Sequence, residues 1–142
     1  MNGAITGAVS CDVAIHCPNA FKAPWANGQS KDKIKAVIDY LFCSGKEQKN
    51  PYIINFSGGG EPLLSFDLIK RTVNYIEQVN QDKNYIYNIG LVTNGSLITP
   101  KIIDFLQEHK IDMAVSFEIL ERLQNKERGS YDKVSANIDM ML

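Results

Sequence analysis

Cysteine is scarce in this 142-residue chain, and its count of three is odd. A small secreted fold stapled by disulfides needs its cysteines in pairs, so that class is set aside. Excess charge of one sign is lacking too. Fifteen Lys and Arg against sixteen Asp and Glu leave a net charge of −1. No basic field is there to draw nucleic acid or an anionic membrane, and neither is expected as a partner. No apolar run approaches the ~18 residues of a membrane span. Two familiar phosphate-binding patterns are also missing. Gly58-Gly59-Gly60 lacks the G-x-G-x-x-G spacing, and no Gly-Lys-Ser/Thr follows it. The opening "MNGAITGAVSC" sets small residues before Cys11 in loose imitation of a lipoprotein cleavage site. It has no basic n-region, and glycine breaks its short apolar stretch. Export is not expected, the sequons at Asn55 and Asn94 are read as accidental, and the cytoplasm is the expected compartment.

What the chain does have is an ordinary globular balance, 44% hydrophobic and 22% charged. That is enough apolar mass for a core, and the length fits one domain on a scale of roughly 100–200 residues per domain. Periodicity then alternates along it. "SKDKIKAVIDYLF" spaces Ile34, Val37, Ile38 and Leu41 as one helix face, with Ser30 as N-cap and Gly45 as stop. "YIINF" is short, apolar and β-branched, as buried strands are. Ser65 is placed to cap a helix turning Ile69, Val73, Ile76 and Val79 inward. "YIYNIGLV" reads as the next strand, ending at Thr93-Asn94-Gly95. Thr99-Pro100 opens a third helix with its cap and N1 proline in preferred places. Its apolar face is Ile102, Ile103 and Leu106. Ile111 to Phe117 is a further strand, and after a polar stretch Ser130 leads a last helix with Val134, Ile138 and Met141. The order is α-β-α-β-α-β-α, with room for a degraded strand at the very start. Such alternation predicts an α/β fold with a parallel sheet. A complete (β/α)8 barrel needs roughly 200 residues or more, so the chain corresponds to part of one.

In parallel α/β architectures ligands sit at the carboxyl ends of strands. Three clusters fall there: Gly58-Gly59-Gly60-Glu61, Thr93-Asn94-Gly95 and Ser116-Phe117-Glu118. Each alone reads equally well as a turn. Together they suggest a site in which glycine lets the main chain approach a ligand. Glu61 can pair with a cationic group, and Arg128 offers a planar fork to a carboxylate. A ligand with an ammonium and a carboxylate on one carbon would satisfy both.

"INFSGGGEPLLSFDLIKRTVNYIE", "LVTNGSLITPKIIDFLQEH" and "VSFEILERLQNKERGSYDKVSANIDM" together resemble the radical S-adenosylmethionine (SAM) enzymes, from about Ser30 onward. The resemblance is closest to the branch that matures sulfatases and peptides. It implies a partial (β/α) barrel cut short on its C-terminal side, a peptide or protein substrate, and SAM with a [4Fe-4S] cluster as cofactors. It also implies site roles. Gly58, Gly59, Gly60 and Glu61 match the Gly-Gly-Glu position that receives the methionine ammonium, and Thr93, Asn94 and Gly95 match the turn beside the cofactor. Ser116 stands where a serine touches the methionine carboxylate or ribose, and Arg128 where an arginine pairs with that carboxylate. Glu118 stands where many members carry aspartate, with a solvated loop acid the equal alternative.

The resemblance departs at the cluster. The family holds three irons on C-x3-C-x2-C, whereas here "SCDVAIHCPNAF" spaces Cys11 and Cys17 six positions apart. They are the candidate metal ligands, with Cys43 more simply a buried helix cysteine and His16 adjacent to Cys17. Two accounts stay open: a shifted or mis-joined start before about Asn19, or an inactive remnant that binds SAM or a partner protein without a cluster. In either, an exposed sheet edge is expected to favour self-association.

Overall fold

The computed structural model describes residues 9–13, 29–43, 48, 50–57 and 60–141. Four strands, β1 (Val9–Val13), β2 (Tyr52–Phe56), β3 (Tyr87–Thr93) and β4 (Asp112–Val115), form one sheet in the order β1-β2-β3-β4. Every neighbouring pair is parallel. The connections carry α1 (Gln29–Cys43), α2 (Phe66–Asn80) and α3 (Pro100–Glu108), and α4 (Glu121–Glu127) and α5 (Tyr131–Asp139) follow β4. This is the predicted α/β alternation, and the strand at the start is present.

The sheet buries one face. Ile54 and Phe56 of β2 and Ile89, Leu91 and Thr93 of β3 are buried, while Asn88 and Val92 between them are exposed. The period of two puts the first set on the helices and the second in water. Against it pack Ile38 and Phe42 of α1, Ile69, Val73 and Ile76 of α2, and Ile102 and Leu106 of α3. A fully buried side chain of this size contributes about 1.5–3 kcal/mol. Phe42 also meets the rings of Tyr52, Tyr85 and Tyr87 edge-on at 5.2, 5.9 and 5.8 Å, the arrangement that aligns ring edges with π faces.

Several local expectations change. α1 begins at Gln29, so Ser30 lies inside it and is not its cap. Val37 is 38% exposed and sits at the margin of the α1 face. Gly45 lies outside the described residues. Ser65 does hold the N-cap position of α2, yet its side chain caps nothing, because a 3-10 turn, Pro62–Ser65, leads straight into the helix. Thr99 caps α3 as expected, accepting from the Ile102 N–H. The polar stretch before Ser130 is itself helical, as α4. No helix among the described residues is long and apolar enough to cross a membrane.

Candidate functional site

The loop after β2 delivers Glu61 by way of Gly60, whose φ of 135° is backbone that L side chains rarely adopt. Gly58 and Gly59 lie outside the described residues. Glu61 is extended and acts as the cap of the 3-10 turn, its Oε1 accepting the Leu63 N–H at 3.1 Å. The same carboxylate reaches across the sheet. Thr93 Oγ1 donates to Oε1 at 2.6 Å, and the Asn94 N–H donates to Oε2 at 2.7 Å. β2 and β3 are thereby joined at their carboxyl ends by charge-assisted hydrogen bonds, stronger than neutral ones.

The Thr93-Asn94-Gly95 turn is held internally as well. The Gly95 N–H donates to Thr93 Oγ1 at 3.1 Å, and the Ser96 N–H donates to Asn94 Oδ1 at 2.9 Å. Thr93 is buried, and its hydroxyl both donates and accepts, so it carries no unmet demand. β4 enters through Ser116, whose N–H donates to the Thr93 carbonyl at 2.8 Å. The structure therefore brings Gly60, Glu61, Thr93, Asn94 and Ser116 to one edge of the sheet.

The segment after Ser116 is organised by a residue that pattern reading missed. Gln124 of α4 is 1% exposed. Its Oε1 accepts the Glu118 N–H at 3.0 Å, and its Nε2 donates to the Gly129 carbonyl at 3.4 Å. One amide thus folds the loop back on itself, with Phe117 stacked on Tyr131 at 5.3 Å. Arg128 caps the C-terminus of α4 through its backbone N–H, its side chain exposed and outside the Glu61 network. α5 reaches the same turn, since Asn137 Nδ2 donates to the Gly95 carbonyl at 2.7 Å. A Gln in a polar run and an Asn in a helix look like solvated residues in sequence, and only the fold reveals their partners.

For the metal, Cys11 stands within β1 at the register of Ile54, short of the strand's carboxyl end. Cys17 and His16 lie outside the described residues, and Cys43 is the last residue of α1. Among the described residues no three His, Cys, Asp or Glu side chains gather where they could hold a metal ion. The displaced pKa values belong to groups outside the Glu61 network, among them Asp67 at the start of α2, lowered by its hydrogen bond to Lys70. Lys35 is raised and Asp39 lowered mainly by their mutual hydrogen bond, and burial raises Tyr87. An open groove of about 230 Å³ between α1 and α2, beside Ile38, Thr72 and Tyr75, is lined by neither Glu61 nor the strand-end residues.

No family model matches the chain. It is similar to a radical SAM cyclopropyl synthase, TigE, of Paramaledivibacter caminithermalis, with 32% identity over 105 residues, 74% of this chain and 21% of that protein. An uncharacterized protein of Methanocaldococcus jannaschii is 38% identical over 87 residues, 61% of this chain and 28% of that one. The chain thus spans under a third of the length of these curated relatives. The likeness to TigE supports a distant radical SAM relationship and nothing narrower.

Proposed function

We propose that this chain is part of a radical SAM-type (β/α) barrel and that its strand ends bind the amino-acid tail of SAM. The observation that carries this reading is the Glu61 carboxylate, fixed at the shared edge of β2 and β3 by Thr93 and Asn94. A fixed anion at that edge suits an ammonium group, and the donor set fits the ligand chemically. Glu61 would accept from the ammonium and Arg128 would meet the carboxylate. Asn94 and Ser116 would line the space between, and Gly60 would keep a Cβ out of it. Bound there, SAM would supply the sulfonium whose cleavage yields a radical in this family. For the longer parent protein the proposed substrate is a peptide or protein.

The [4Fe-4S] cluster does not fit what is described. Three thiolates are needed, and Cys11 is within a strand rather than in the loop that follows it. We therefore derive no step through a cluster. That placement favours a second reading, a chain that binds SAM or a partner protein with no cluster.

Titration calorimetry with SAM tests the proposal. Glu61→Gln keeps the shape and removes the charge, at the cost of turning an NH2 toward either the Asn94 or the Leu63 N–H, and Arg128→Ala removes the fork. Each is expected to weaken binding by ~1.5–3 kcal/mol, the range for charged hydrogen bonds. Unchanged affinity in both variants would refute the clamp. Anaerobic reconstitution with iron and sulfide separates the two readings, since uptake with cluster absorbance supports the enzyme and SAM binding without it supports the remnant.

A further inference from the structure

The turn that presents the Asn94 N–H to Glu61 is gripped from two sides. On the strand side Glu61 and Thr93 take the N–H groups of Asn94 and Gly95. On the other side α5 takes the Gly95 carbonyl through Asn137, across 42 positions of sequence. A carbonyl only accepts, so the amide must present its NH2 to it, and the side chain's orientation is settled by chemistry. One turn earlier on α5, Val134 is fully buried, and its Cγ1 would lie 3.0 Å from a Cβ at Gly95. Val134 and Asn137, three apart, share a helix face that rests on this turn.

Resting on the SAM reading above, we infer that Asn137 is a positioning residue for the site. Its hydrogen bond fixes the Asn94–Gly95 backbone, so docking of α5 and ligand binding at Glu61 are coupled, each favouring the other. Such coupling is reciprocal by linkage.

Residue-resolved hydrogen exchange on the full chain, without and with SAM, tests this. The amides of Asn94, Gly95 and Ser96 do not bond to Asn137, so any change there is transmitted. In Asn137→Ala their exchange should rise roughly two- to tenfold, the size expected for one lost hydrogen bond. β2 and α2 amides should not change. SAM dissociation should rise by a similar factor, and Asn137→Gln, which keeps the donor, should recover part of both. Equal acceleration throughout the molecule, or none at the turn, overturns the inference. Should Asn137→Ala not fold, the unsubstituted chain decides: SAM should slow exchange at the turn and in α5 together, and slowing at the turn alone overturns the coupling. A chain that does not bind SAM at all refutes the proposed function, and the exchange at the turn in the variant then judges Asn137 by itself.

Discussion

A methyl group at position 95 would lie 2.8 Å from Val115 Cγ1 and 3.0 Å from Val134 Cγ1, on backbone with φ of +79°. Two independent costs therefore meet there. The left-handed conformation costs a non-glycine residue about 1–2 kcal/mol, and forcing two branched side chains apart costs about 1–3 kcal/mol. Gly95→Ala is expected to destabilise by roughly 2–5 kcal/mol, lowering the midpoint of thermal unfolding by about 10 °C. Gly129 separates the two costs. It too has positive φ, +68°, but a Cβ there meets nothing within 4 Å. Gly129→Ala should show the backbone cost alone. Equal losses for the two variants in circular-dichroism melts would mean that α5 and β4 do not clamp the turn. The same logic explains why Thr93-Asn94-Gly95 could be recognised in sequence as a special turn while its purpose could not. Its glycine is set by side chains 20 and 39 positions further on, as the register and α5 place them.

At the scale of elements, α1 and α2 are tied outside the core by Lys35, Asp39 and Tyr75. Lys35 Nζ donates to Asp39 Oδ2 at 2.6 Å, and the Tyr75 hydroxyl donates to Asp39 Oδ1. The Lys35 ammonium first, and the Tyr75 hydroxyl second, hold the Asp39 carboxyl below the usual carboxylate range. A depressed acid stabilises the fold above its unfolded pKa, and the contribution is lost as pH falls through the folded value. Lys35 is raised by Asp39 and then Tyr75, so its share is present below the ordinary lysine pKa and lost as pH rises through the raised value. The tie is thus strongest between about pH 4 and 10. Tyr75→Phe should move the Asp39 carboxyl resonance to titrate at higher pH and soften the acid limb of the stability curve, leaving the neutral fold intact. An unmoved Asp39 titration would show that the hydroxyl does not hold it. Elements were readable where one apolar period ruled, as at Ile69, Val73 and Ile76, all fully buried. They were not where local polar chemistry competes. α4 has few apolar anchors and hangs on Gln124, and the expected cap at Ser65 gave way because Glu61 had already started the turn one step earlier.

Among the described residues, the helices pack on one face of the parallel sheet, and the other face is partly open at β3 and β4. Asn88, Val92, Asp112 and Ala114 are exposed there, and Val92 shows 41% of its surface. All-parallel sheets are usually covered on both faces, which is why their strands tolerate apolar residues on each. β4 is also the last strand of the described sheet, with its outer side unpaired. Open parallel edges and half-covered apolar faces favour association. The 15.9 kDa chain is therefore expected to sediment above its monomer mass as concentration rises. Val92→Lys with Ala114→Lys should shift it toward monomer. Both positions are already in water, but they are register partners on β3 and β4, so the two like charges should cost up to about 1 kcal/mol of stability. A chain that stays monomeric at every concentration tested would show that Asn88, Asp112 and the short β4 strand suffice to keep this face solvated. The association predicted here and the binding predicted at Glu61 use different parts of the sheet, its open face against its carboxyl edge. The lysine variant should accordingly retain the SAM affinity of the unsubstituted chain, and loss of both together would mean that the strand ends are built only in the assembled form.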